Sequence, residues 1–170
     1  MSTPPHPNNP FAGFFARPQP KFTPAALLVS GAAVTTVICL LGLLTEVLGH
    51  PLLMAGFAAS CVLVFVLPAA PVSQPMNVLG GHLAVAVVAV VADSLLSPSW
   101  WAIGAVTGVA VMLMSGLRIL HPPAAVLPIV IMTSHENWDF VLTPVMAGAL
   151  IVTLAGVAYR GILRGRIRWF

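Results

Sequence analysis

From Pro24 to Tyr159 the chain carries charge only at Glu46, Asp93, Arg118, Glu136 and Asp139. That spacing constrains the fold more than any motif does, because the uncharged intervals are long enough to span hydrocarbon. Soluble domains are about one quarter charged. Here 6% of the 170 residues are charged and 59% are hydrophobic. Such a chain cannot cover its own surface with polar groups. The reading is an all-α, polytopic transmembrane helix bundle.

Six apolar segments can be drawn, at 25–48, 52–67, 77–96, 100–117, 122–134 and 140–159. Six crossings place both termini on one side. Arg17, Lys21, Arg118, Arg160, Arg164, Arg166 and Arg168 then share that face, while Glu46, Asp93, Glu136 and Asp139 fall toward the other. The positive-inside rule makes the basic face cytoplasmic, with both termini inside. The fifth segment is short, covering about 20 Å as helix against a roughly 30 Å core. It either crosses as a short helix or re-enters, packed inside protein. Re-entry would put the termini on opposite sides, which the charges oppose.

The domain reading is a flexible or interfacial arm at 1–24, a transmembrane domain at 25–160 and a basic cytoplasmic tail at 161–170. The arm lacks an apolar signal region and is a poor transit peptide. Its Phe11, Phe14 and Phe15 suit the headgroup layer. Without a transit peptide, the expected location is a bacterial cytoplasmic (inner) membrane.

Several classes of function find no support. Cys39 and Cys61 lie in apolar runs and read as small buried residues. No CxxC, GxGxxG, P-loop or HExxH pattern occurs. No catalytic constellation, cofactor or metal is expected, since a metal held by His82 and His121 would lack a third ligand. Nor is there a basic patch with interleaved aromatics for nucleic acid.

The stretch "RILHPPAAVLP" at 118–128 concentrates the unusual chemistry. Pro122 and Pro123 suit a helix start, where a missing N–H costs nothing. Helix N-termini carry partial positive charge and free N–H donors, which attract anions. Arg118 stands one turn earlier, and His121 takes the cap position and titrates near neutral pH. His82 follows Gly80 and Gly81 within the third segment. An ionisable group at that depth is a functional candidate, with an interhelical hydrogen bond as the plainer alternative. "SQPMN" before the third segment echoes "LHPPA" before the fifth, either as a faint repeat or as two ordinary proline-started helices. Gln74 and Asn77 are candidates for lining a path or capping. Asp93 and Glu46 read as solvated outer residues, with a proton-coupled role as the alternative, and His135 as a loop residue.

These blocks carry a family resemblance. "SQPMNVLGGHLAVAVV", "LRILHPPAAVLP" and "VLTPVMAGALIVTLAGVAY" are similar, in order and spacing, to the HPP family of small integral membrane proteins, whose name is the triplet His121-Pro122-Pro123. The match spans roughly 52–159. The chain departs from the family at Met76, where an arginine is usual, and in the alanines after the triplet, where a glycine is usual. Plant and cyanobacterial members are linked to nitrite transport. The resemblance therefore implies a channel or secondary transporter for a small monovalent anion, with a non-transporting scaffold or accessory subunit as the alternative. Arg118, His121, His82, Asn77 and Gln74 are the candidate anion-binding residues. Gly104 and Gly108 form a GxxxG pair, and Gly148 and Gly156 share one helix face, suited to tight packing within or between protomers. With few helices to wall a path, the chain is expected to form a homo-oligomer in the lipid bilayer.

Overall fold

Proline sets where three of the helices begin. The computed structural model describes residues 21–163. The arm at 1–20, with Arg17 and the three phenylalanines, and the tail residues Arg164, Arg166 and Arg168 lie outside the described residues. Helix α1 (Pro24–Leu48) starts behind Thr23, whose hydroxyl accepts the Ala26 N–H at 3.2 Å, and stops at Gly49 with φ 70°. Helices α3 (Pro75–Leu95) and α5 (Pro122–Ser134) also open on proline. Pro supplies the helical φ and lacks the N–H that would go unpaired there. Helix α2 is Ala55–Val66, and α4 is Trp100–Gly116, capped by Ser99. Helix α6 (Trp138–Leu163) is capped by Asn137. The described residues form these six helices and no strand.

Three of them, α1, α3 and α6, are long and apolar enough to cross a bilayer alone. The 12 residues of α2 rise only about 18 Å. Its crossing is completed by non-helical chain. Such backbone survives at membrane depth only when buried in protein and hydrogen-bonded. Before α2, Leu52 is buried and the Leu53 N–H donates to the Thr45 hydroxyl at 2.9 Å. Beyond α2, a 3₁₀ turn (Pro71–Ser73) leads into α3, and the Ser73 hydroxyl donates to the Leu63 carbonyl at 2.9 Å.

The fifth segment runs on toward the opposite end of the bundle from where α4 stops, rather than doubling back. Helix α4 ends in paired bonds, Arg118 N–H to Ser115 carbonyl at 3.1 Å and Ile119 N–H to Met114 carbonyl at 2.9 Å. This is a Schellman motif with Arg118 in the left-handed position, φ 58°. Residues 118–121 then run back into the bundle, and α5 starts as a 3₁₀ turn before becoming α-helical at Leu127. Its first end lies at α3 residues Gly81 and His82, and its last at Asp93 on the outer end of α3. The short helix thus covers the outer part of the span and the buried chain covers the rest.

Helix α3 is the axis of the bundle, packed on α4, α5 and α6 through Val85, Ala86, Ala89 and Val90. Helix α6 presses against α2 at Gly148 and Gly156, where an added Cβ would run into Phe57 and Val64. Those two glycines therefore serve packing within the protomer. Gly104 and Gly108 face open space on α4. Near its outer end α6 unwinds at Thr143 (φ −139°, ψ 114°), because Pro144 cannot continue the hydrogen-bond ladder. Leu27, Leu28, Leu43 and Val47 on α1, and Met112 and Leu113 on α4, remain exposed. They present apolar surface to hydrocarbon.

Candidate functional site

Two histidines meet in the interior. His82 is 1% exposed and His121 0%, and their ring centroids lie 5.1 Å apart. Gly81 makes the approach possible, since a Cβ there would sit 2.7 Å from the His121 Cβ and 3.1 Å from the Ile119 carbonyl oxygen. Phe57 of α2 closes the other side of His82, with ring centroids 5.3 Å apart.

The hydrogen bonds fix how each ring is used. A carbonyl only accepts, so the His82 Nδ1–H donates to Val78 and the His121 Nδ1–H to Val72, both at 2.8 Å. In a neutral His121 the other nitrogen, Nε2, then accepts from the Ser60 hydroxyl at 2.9 Å. The Ser60 oxygen also lies 2.9 Å from the Gly56 carbonyl, giving one hydroxyl proton two acceptors.

His121 occupies the cap position of α5, as its place before two prolines implies, yet its ring makes no capping bond. The start of α5 is poor in donors as well. Pro122 and Pro123 have no N–H, and the Ala124 N–H is taken by the His121 carbonyl at 3.0 Å. Gln74 repeats the pattern before α3. It is the cap residue, but its side chain turns away, donating to the carbonyls of Pro68 (3.2 Å) and Ala70 (3.1 Å). Asn77 donates to the Leu120 carbonyl at 3.0 Å, tying α3 to the chain that delivers His121.

Arg160 joins this cluster from α6. It donates to Gln74 Oε1 at 2.8 Å and to the Ser73 carbonyl at 2.7 Å, while its Nε is buried without a partner. Hydrogen bonds therefore tie Arg160 to Gln74 and Ser73, and the next residue, Val72, to His121 and through it to Ser60, while His82 joins by its ring contact with His121. Gln74, Asn77, His82 and His121 all lie in this cluster. Arg118 does not: its side chain is exposed at the inner end of α4. Ser60, Ser73 and Arg160 escape a reading of the sequence alone. A signal for Arg160 exists, however, since Gly148, Val152, Gly156 and Arg160 recur every four residues along one helix face.

Asp93 is a correction. Expected to be solvated, its side chain is only 12% exposed and lies 3.3 Å from His135 Nδ1. The pairing arises because α5 ends beside α3, with His135 in the left-handed position that stops the helix (φ 54°).

Residues 19–168 match the family described as HPP, transmembrane region. Two transmembrane proteins of Dictyostelium discoideum are similar to the chain. One is 31% identical over 122 residues and the other 29% over 126, each covering 67% of this chain. The aligned part makes up 43% and 39% of those relatives, so the chain spans about two fifths of their length. No solved structure matches.

Proposed function

The chain belongs to the HPP transmembrane family, and from that premise we propose that it carries a small monovalent anion, nitrite first among the candidates, across the membrane. One observation carries the reading: Arg160, bonded to Gln74 and the Ser73 carbonyl, stands beside the Val72 carbonyl that holds His121, and His121 lies against a second buried histidine. Arg160 bonds only neutral acceptors, and among the described residues the one ion pair is His135 with Asp93. No carboxylate among the described residues therefore cancels its charge, and at low local dielectric it attracts an anion strongly. Arg118, exposed at the same end, adds steering charge.

In this proposal Arg160 and Gln74 receive the anion, and Asn77, His121 and His82 replace part of its hydration shell. The rings are sealed in by Phe57, Gly81 and α5, so passage requires α5 and residues 118–121 to shift. No chemistry on the anion is invoked. Homo-oligomerisation and a bacterial inner-membrane location belong to the same proposal; the open face at Gly104 and Gly108 supports the former by leaving room for a second helix.

The test is flux into proteoliposomes holding an anion-sensitive dye, with protein-free vesicles subtracted because nitrous acid crosses bilayers unaided. Nitrite uptake that falls at least tenfold in Arg160→Gln and His121→Ala, at equal incorporation, is the expected result. Absence of flux in the unmodified protein would favour the scaffold role.

A further inference from the structure

We propose that the outer end of the bundle holds a site for a phospholipid with a primary-amine headgroup, its acyl chain in a groove between α3 and α4 and its ammonium at Asp93. The site lies apart from the histidine pair and does not depend on anion passage.

The groove has a volume of about 450 Å³ and is lined only by valine, alanine and leucine, among them Ala105 and Val109 of α4. Along α3 it runs from Val87 to Leu95, a rise of about 12 Å. One leaflet is half of a roughly 30 Å hydrocarbon core. The groove therefore has the depth and the apolar wall that suit an acyl chain of the outer leaflet.

Leu95 and Leu96 also line a second cavity, of about 280 Å³, which they share with Asp93, Ser94, Ser97, Pro98 and His135. The apolar groove thus adjoins a polar mouth. Trp100 and Trp101 stand just beyond it, 87% and 56% exposed, as tryptophans do where hydrocarbon gives way to headgroups. A groove of this kind with a polar mouth points to an amphiphile rather than to the side chains of a second helix.

The mouth selects by charge and by hydrogen bonding. Among the described residues Glu46, Asp93, Glu136 and Asp139 lie toward this end, and Lys21, Arg118 and Arg160 toward the other. His135 Nδ1 lies 3.3 Å from both Asp93 oxygens, but hydrogen-bond geometry is met at Oδ2 alone, and Oδ1 is covered without a partner. The His135 ring is 64% exposed, so it can turn aside and let an ammonium take its place. The Ser94 hydroxyl donates to the Val91 carbonyl at 2.7 Å, which leaves its oxygen lone pairs to accept. An ethanolamine ammonium brings three N–H donors for these oxygens, and its bond to a carboxylate is of the strong, charge-assisted kind. A choline headgroup has no N–H to give. Serine and glycerol headgroups leave the lipid net negative at an acidic mouth. The first turn of α4 lies next to the mouth and offers the positive end of its dipole to the lipid phosphate.

Native mass spectrometry of the full chain, released from micelles at neutral pH, tests the site. The protein is titrated with dioleoyl-phosphatidylethanolamine or with the phosphatidylcholine of the same chains. The first bound lipid should favour ethanolamine about two- to fivefold, the range of a partly exposed ion pair. Asp93→Asn should lower the ethanolamine affinity to that of choline. Ala105→Phe, a change at an exposed position in the groove, should weaken both lipids alike, and His135→Ala should keep or raise the preference. Equal affinities in the unmodified protein, or a preference that survives Asp93→Asn, would overturn the proposal. So would an Ala105→Phe variant that splits a dimer into protomers with lipid binding unchanged, because the groove would then belong to a second copy.

Discussion

Replacing Gly81 by alanine should destabilise the protein and disturb the histidine pair, although the same change favours a helix. In a helix interior, alanine is better than glycine by about 1 kcal/mol. Against that stands the crowding at this position. The new methyl would lie 2.7 Å from the His121 Cβ, 3.1 Å from the Ile119 carbonyl oxygen and 3.4 Å from the Met114 sulfur. Only the sulfur sits on a side chain that can swing away. The other two atoms belong to residues 118–121, pinned by the Ile119 N–H bond to Met114, the Asn77 bond to Leu120 and the His121 bond to Val72. Overpacking against groups that cannot yield costs about 3 kcal/mol, the upper end of the usual range. The net loss is then about 2 kcal/mol once the propensity gain is subtracted. Gly104→Ala supplies the control, because nothing lies within 4 Å of a Cβ there. The two variants share the propensity gain, so their difference isolates the overpacking. Reversible unfolding in mixed micelles, with each midpoint converted to free energy, should place Gly81→Ala about 3 kcal/mol below Gly104→Ala. Nitrite flux in Gly81→Ala should fall with it. If both variants are equally stable and Gly81→Ala transports normally, the contact between α3 and residues 118–121 does not hold His121 in place.

Four further outcomes can be measured. His121→Ala leaves the Val72 carbonyl and the Ser60 hydroxyl without their ring partner, and an unmet buried polar group costs about 1–3 kcal/mol; unfolding in mixed micelles should register a loss of that order. Tyr159→Phe removes the hydroxyl bond to the Phe65 carbonyl, 3.2 Å, and should cost about 1 kcal/mol in the same assay while leaving nitrite flux unchanged. Arg118→Ala should lower flux only modestly and chiefly at low salt, as expected of an exposed steering charge; a loss as deep as that of Arg160→Gln would place Arg118 in the path. Reporter fusions at the two ends should both read cytoplasmic, and ends on opposite faces would reject six crossings.

What the sequence determines here is whatever depends on one residue and its near neighbours. Uncharged runs suit lipid, so the six segments are legible from hydropathy, and the placement of Arg and Lys is the argument for their orientation. Proline at the first position and glycine after the last mark helix ends for local steric reasons: α3 and α5 begin where Pro75 and Pro122 predict, and α1 opens on Pro24 in the same way. The importance of His82, His121, Gln74 and Asn77 is legible too, because polar side chains are costly in hydrocarbon and need partners. Which partners they find is not local information. His121 reaches Ser60 across 61 residues, and Arg160 reaches Gln74 across 86. No periodicity records such meetings; they depend on α6 lying close against α2 at Gly148 and Gly156. The same limit applies to the glycine faces. Gly148 and Gly156 look in sequence like Gly104 and Gly108, yet the first pair is filled by Phe57 and Val64 and the second faces open space. Asp93 reads as a solvated boundary residue until α5, shortened by the chain that carries His121, ends beside it. Helix starts follow from bonds within one turn, whereas the site follows from how separate helices close on one another, and only packing decides that.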